Sequence, residues 1–158
     1  MNKIIRWADV PVWCEGIRAA GLRLVATNGC FDVLHAGHVT YLSAARSQGD
    51  RLIVGLNSDA SVRALKGEGR PVNPEQDRAL VLAALACVDA LCIFDEVRAT
   101  AFLRATRPDL YVKGGDLTLD QIPAEEREAV EAGGGRILIM PHVAGRSTTA
   151  ILDRIRDR

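Results

Sequence analysis

Five short stretches of this chain are apolar enough to be covered on both faces: 23–28, Arg51–Asn57, Ala90–Phe94, 110–112 and Arg136–Met140. Between them lie stretches with helical punctuation. Residues 7–20 carry Asp9 and Pro11 early and stop at Gly21, and 38–48 stop at Gly49. Ser58 or Asp59 caps a short helix through Leu65, and Pro74 opens one that runs to Cys87. Residues 99–106 read as a further helix, 123–132 as another closed by Gly133-Gly134-Gly135, and Thr148–Arg156 as the last. Two glycines and a proline between Lys66 and Asn73 make a loop. Strands that alternate with helices give a parallel sheet with helices on both sides. Right-handed crossovers make it doubly wound. The expectation is an α/β fold with a five-stranded, doubly wound, Rossmann-like parallel sheet. One domain is expected over 1–158, with 1–22 as an N-terminal helical extension.

In such sheets ligands collect beyond the carboxyl ends of the strands. The loops to watch are therefore 28–38, 57–59, 113–116 and 142–149. The formal net charge is zero, so any anion site has to be local, and neither nucleic acid nor an anionic membrane is an expected partner. No apolar run approaches the ~20 residues that span a bilayer, and no apolar core follows Lys3 and Arg6 as in a signal peptide. The expected location is cytoplasmic. Cys14, Cys30, Cys87 and Cys92 form neither a C-x-x-C pair nor zinc-ligand spacing.

The first loop carries the strongest chemistry. His35-Ala36-Gly37-His38 follows Thr27-Asn28-Gly29-Cys30-Phe31-Asp32 and leads into a helix. Histidines three apart share one face of a first helical turn. The unpaired N–H groups and partial positive charge of that helix start suit phosphate oxygens. Gly37 lets an anion approach the backbone. Cys30 reads as a small residue where backbone meets ligand, not as a nucleophile.

The other loops add to this. Val112-Lys113-Gly114-Gly115-Asp116 is either a turn with a solvated lysine or a ligand loop. Gly145-Arg146-Ser147-Thr148-Thr149 is either a simple cap at Ser147 or a second phosphate site. Lys66, Arg70 and Arg78 flank the glycine-containing loop. A zinc site wants more ligands than His35, His38 and His142 supply, and H-E-x-x-H is missing. Neither G-x-G-x-x-G nor a P-loop pattern occurs, which disfavours hydride transfer and Walker-type chemistry.

The stretch from Gly29 to His38 resembles the first signature of the HxGH nucleotidyltransferase superfamily, and Gly145 to Thr149 resembles its second. Arg70-Pro71-Val72-Asn73-Pro74 and the Lys113 to Asp116 segment are similar to its heptose 1-phosphate adenylyltransferase branch. That branch otherwise occurs as a domain of bifunctional heptose kinase/adenylyltransferases. The resemblance runs from about Leu24 to the C-terminus and implies a nucleotidyltransferase fold. It implies transfer of AMP from ATP to D-glycero-β-D-manno-heptose 1-phosphate, with Mg²⁺ accompanying the nucleotide and a homodimer as the expected assembly.

It also implies residue roles. His35, His38, Lys66 and Arg78 would be catalytic, stabilising or neutralising phosphate charge. Asn28, Gly29, Cys30, Phe31, Gly37, Gly114, Gly115, Asp116, Ser147, Thr148 and Thr149 would bind ATP together with the histidines. Asp32, Lys66 and Lys113 would face the sugar phosphate. No protein cage for a metal is expected. His142 has either a nucleotide or a structural role, and residues 1–22 match nothing in the family. A sister cytidylyltransferase acting on glycerol 3-phosphate, an FAD synthetase-like enzyme and a non-catalytic nucleotide-binding module remain as alternatives. His35 argues against pantetheine-phosphate adenylyltransferase, whose relatives carry Thr there.

Overall fold

The computed structural model of the chain describes residues 2–141 and 144–157. The sheet has five parallel strands: β1 (Leu24–Gly29), β2 (Arg51–Asn57), β3 (Ala90–Phe94), β4 (Leu110–Gly114) and β5 (Arg136–Met140), in the order β3-β2-β1-β4-β5. The helices are α1 (Val10–Ala19), α2 (Ala36–Arg46), α3 (Asp59–Lys66), α4 (Glu75–Ala83), α5 (Thr100–Thr106), α6 (Ala124–Ala132) and α7 (Thr148–Arg156). This is the doubly wound, Rossmann-like α/β architecture that the alternation predicts.

Period-two alternation within the strands splits the core into two layers. Leu24, Ala26, Cys92 and Tyr111 point to one side, where they pack with Val10 and Cys14 of α1, Phe102 and Leu103 of α5, and Val130 of α6. Val25, Leu52, Val54 and Val112 point to the other, against Leu42 and Ala45 of α2 and Ala79 and Leu82 of α4. Cys14 and Cys92 are fully buried, and burial pushes both thiols up to about 12. They behave as small core residues.

The first residues do more than extend a helix. Ile5 N–H donates to Leu91 O and Leu91 N–H donates to Lys3 O, both at 2.8 Å, so 3–5 lie along the outer edge of β3. A 3-10 turn, Trp7–Asp9, then leads into α1.

Several helix ends depart from expectation: α1 begins at Val10 rather than 7, behind the 3-10 turn, and α2 ends at Arg46 rather than 48. α2 starts at Ala36, ahead of the expected 38, because His35 itself caps it. α4 stops at Ala83 rather than 87. The chain tightens there into turns from Leu82 to Val88 that deliver Asp89 to β2, where its carboxylate accepts from Leu52 N–H at 2.8 Å. Among the described residues no helix is long and apolar enough to cross a membrane.

Candidate active site

The strand order reverses at β1 and β4, and these two pair over only two positions, Val25 with Leu110 and Ala26 with Tyr111. β1 with β2 runs for six. Beyond Ala26 the backbones of β1 and β4 part, and side chains bridge the gap. Thr27 Oγ1 and Tyr41 Oη lie 2.7 Å apart, and each is 2.9 Å from Val112 O. Tyr111 Oη donates to Asn28 Oδ1 at 2.6 Å. Above the parting lies a cavity of about 520 Å³, of a size suited to a nucleotide-sized ligand. It sits where doubly wound sheets bind ligands.

One wall is the start of α2. His35 Nδ1 accepts from Gly37 N–H at 3.1 Å, so the ring acts as the N-cap and carries its proton on Nε2. The His35 and His38 rings stack with centroids 3.8 Å apart and planes at 26°. Phe31 meets His38 edge-on at 5.3 Å. Phe31 reaches that position with a left-handed φ of 43°, a costly conformation for a bulky residue. Its ring fills the space beside Gly29, where a Cβ would come within 3.0 Å of it.

The facing wall is the start of α7. Ser147 Oγ accepts from Ala150 N–H at 3.1 Å, and Thr148 Oγ1 donates to Val33 O at 3.4 Å. Ser147 is thus a cap and also part of the cavity wall, along with Thr148 and Thr149. A Cβ on Gly37 would stand 3.2 Å from the Cβ of Arg146, which measures how closely the two helix starts approach. Both bring unpaired N–H groups and positive dipole ends to one space.

Lys66 and Arg70 form a basic rim, and Lys113 and Gly114 close the β4 side. Gly114 has no Cβ where the Tyr41 ring passes, at 2.9 Å from the ideal Cβ position. Burial lowers the pKa of the Lys113 ammonium, while the negative charge of Glu126 works against that shift.

Not every expected residue stands in the wall with these roles open to it. Arg78 is 2 % exposed and lies outside the cavity lining. Its guanidinium donates to Asn73 O, Cys30 O, Asn57 O and Asp59 Oδ1 at 2.6–3.0 Å. It ties the β1, β2 and 70–73 loops together, which commits four of its five N–H donors.

Asp32 touches the cavity, but its side chain is 1 % exposed. It accepts from Arg70 Nε at 2.7 Å, Val72 N–H at 2.8 Å and Asn73 N–H at 3.0 Å. Burial alone would push this carboxyl up, yet the bonds from Asn73, Val72 and Arg70 hold it below its usual range. It fastens the 70–73 loop at the cavity wall.

Gly115 is buried, with its N–H on Met140 O at 3.0 Å, and Asp116 is exposed. Both stand beyond the lining. His142 falls outside the described residues. Asn28, Gly29, Cys30, Phe31, His35, Gly37, His38, Lys66, Lys113, Gly114, Ser147, Thr148 and Thr149 are brought together.

Sequence reasoning missed Tyr41, Leu65, Val97, Glu126 and Pro141 in the lining, and gave no role to Asn57 and Arg146 within the loops it singled out. Tyr41 adjoins the His35–His38 motif. Glu126 carries no local signal, being one of several acids at the start of α6.

The sequence pattern of the cytidylyltransferase-like family matches residues 26–154. The chain is 55% identical over 147 residues to the bifunctional protein HldE of Mesorhizobium japonicum, covering 93% of this chain and 28% of that protein. It is 51% identical over 157 residues to the bifunctional protein HldE of Pelobacter propionicus, covering 99% of this chain and 32% of that one. The chain thus spans under a third of the length of these relatives. A crystal structure of the lipopolysaccharide core biosynthesis protein from Thermoplasma volcanium superposes with a TM-score of 0.63 at 27% identity, covering 78% of this chain and 98% of that one. Pantoate-beta-alanine ligase from Francisella tularensis shares the fold alone, with a TM-score of 0.54 at 16% identity, covering 98% of this chain and 78% of that one. A pattern that runs through both walls of the cavity, with relatives identical at half their aligned positions, leaves one placement: this chain belongs to the cytidylyltransferase-like family.

Proposed function

We propose that this chain is an adenylyltransferase that moves AMP from ATP to D-glycero-β-D-manno-heptose 1-phosphate, giving ADP-heptose and pyrophosphate. One observation carries the reading: a stacked histidine pair at the start of α2 faces the Ser147-Thr148-Thr149 start of α7 across a cavity rimmed by Lys66 and Arg70. The heptose side is supported by the resemblance of the 70–74 and 113–116 segments. The name HldE on the relatives and the lipopolysaccharide core description of a structural neighbour point the same way.

The acceptor phosphate has a second pKa of about 6, so its oxygen is anionic near neutral pH and needs no strong base. That oxygen attacks the α-phosphorus in line. A new P–O bond forms, the bond to the β-phosphate bridging oxygen breaks, and pyrophosphate leaves. The protein's task is to hold two anions together and to meet the charge that grows on the leaving group. His35 and His38 would supply Nε2 groups to that charge, and the starts of α2 and α7 would supply N–H groups. Lys66 would neutralise phosphate oxygens. Backbone N–H groups of Cys30 and Phe31, with Asn28 and Gly29, would line the nucleotide. Gly114, Ser147, Thr148 and Thr149 would close on it.

Mg²⁺ would arrive as part of the MgATP substrate. Among the described residues no three His, Cys, Asp or Glu gather to hold a metal, and both oxygens of Asp32 are already bonded. The reading puts the enzyme with its ATP in the cytoplasm, as a homodimer.

A pyrophosphate-release assay tests this. The protein is mixed with Mg²⁺, each nucleoside triphosphate and a panel of sugar and polyol phosphates. ATP with heptose 1-phosphate should stand out. Turnover with CTP and glycerol 3-phosphate instead would reassign it to the sister reaction. Tight nucleotide binding with no release from any pair would make it a binding module.

A further inference from the structure

Glu126 sits in the first turn of α6, is 4 % exposed and lines the cavity. One oxygen, Oε1, accepts from Ala99 N–H at 2.8 Å. The other, Oε2, is 3.3 Å from Tyr111 Oη. That hydroxyl has one proton and lies 2.6 Å from Asn28 Oδ1, a typical O–H···O length. The proton therefore goes to Asn28, and Oε2 keeps acceptor capacity toward the cavity.

Lys113 lines the same cavity, with its ammonium 5.6 Å from the Tyr111 ring centroid. Among the described residues no ion pair joins Lys113 to Glu126. Opposite charges thus line one cavity without forming an ion pair, beside Asn28, whose side chain is held by the buried Tyr111 hydroxyl.

Such a gap selects its occupant. An ionised carboxylate only accepts and an ammonium only donates. A hydroxyl does both and satisfies each partner at once. A phosphate would be repelled by Glu126, and an amine by Lys113. We propose that Glu126, across from Lys113, is a specificity residue that binds the hydroxyl groups of the phosphate-bearing acceptor. The assignment rests on the transferase reading above and deepens it: the acceptor is a neutral polyol or sugar skeleton carrying one phosphate. The ribose of ATP has the same chemistry, so the test separates the two.

The test is calorimetric titration of the whole chain with a non-hydrolysable ATP analogue and, in its presence, with heptose 1-phosphate. Glu126→Gln and Lys113→Met are compared with the unaltered protein, whose pyrophosphate release is measured alongside. Glu126→Gln keeps an oxygen for Ala99 N–H, so its unfolding temperature should hold. Its affinity for the sugar phosphate should fall about tenfold or more, with the ATP analogue unaffected. A purely structural role would not split the two ligands in this way. A deoxy analogue lacking ring hydroxyls should bind the unaltered protein more weakly by a similar factor, which needs no variant to fold.

Unchanged sugar-phosphate affinity in Glu126→Gln overturns the assignment. So does weaker binding of the ATP analogue alone, which gives the carboxylate to the ribose. If the unaltered protein binds sugar phosphate through Glu126 but releases no pyrophosphate, the transferase reading falls and Glu126 is left as a hydroxyl-binding residue of a sugar-phosphate site. If it binds no sugar phosphate, both fall.

Discussion

The Nδ1 atom of His35 accepts the Gly37 N–H at 3.1 Å, so one histidine of the pair caps the helix on which the other is carried. Structure and chemistry are separable in His35. Replacing it with Ala should lose the cap, at about 1 kcal/mol, together with turnover. Replacing it with Asn, a good cap, should restore the unfolding temperature and leave turnover low.

His38 lies in the first turn of α2, stacked on the His35 ring. His38→Ala should reduce kcat by about a hundredfold or more while the affinity for ATP changes little, because its contribution grows as charge moves to the leaving group. Equal losses in kcat and in ATP affinity, measured by steady-state kinetics and calorimetry, would contradict that role.

Gly37→Ala is the sharpest probe of alignment. The new Cβ would meet the His35 ring at 2.9 Å and the Arg146 Cβ at 3.2 Å. Alanine is the better helix former, but its Cβ displaces the ring that caps α2, so the gain and the lost cap offset and the unfolding temperature should hold or fall slightly. Turnover should fall about tenfold or more, since small misplacements at a reacting centre are expensive.

Asp32 and Arg70 make the clearest acid-side prediction. The pair is buried on the Asp32 side, 1 % exposed against 17 % for Arg70. Asp32→Asn should cost about 3 kcal/mol of folding stability at neutral pH. The folded-state pKa of Asp32 lies below its unfolded value. Its stabilisation is therefore complete above the unfolded pKa, roughly 4, and disappears as the pH falls through the folded pKa. Denaturant melts across that range should show a flatter acid limb in the variant.

Arg78→Lys should unfold more easily, by a free energy on the order of 3 kcal/mol, because one ammonium cannot reach four acceptors that the guanidinium fork serves. Loss of activity should track loss of stability. Lost activity at an unchanged melting temperature would return Arg78 to a direct phosphate role.

Much of the fold was legible because its signals are local. The stretches Arg51–Asn57, Ala90–Phe94 and Arg136–Met140 are apolar runs between turn residues, and each became a strand with those bounds. The start of α2 was misjudged because histidine is not a usual cap. The end of α4 depended on Asp89 meeting Leu52, a contact that no window around residue 85 contains. The site divides the same way. His35, His38 and Ser147 announce themselves in short motifs. Asp32 and Arg78 also sit in motif-like surroundings, but their partners, at 70–73 and at 30, 57, 59 and 73, decide that they hold loops together. Glu126 gains meaning only through Tyr111, Asn28 and Ala99, which the chain path brings to it from elsewhere.

The two-position ladder between β1 and β4 has a consequence for how such a chain can change. The hollow is made by diverging backbone, before any reactive side chain is considered. Its floor and its walls come from different segments of sequence. A lineage can therefore exchange the groups on the floor and shift to a new acceptor while the nucleotide side stays as it is, and a catalytically dead copy would still possess the vessel.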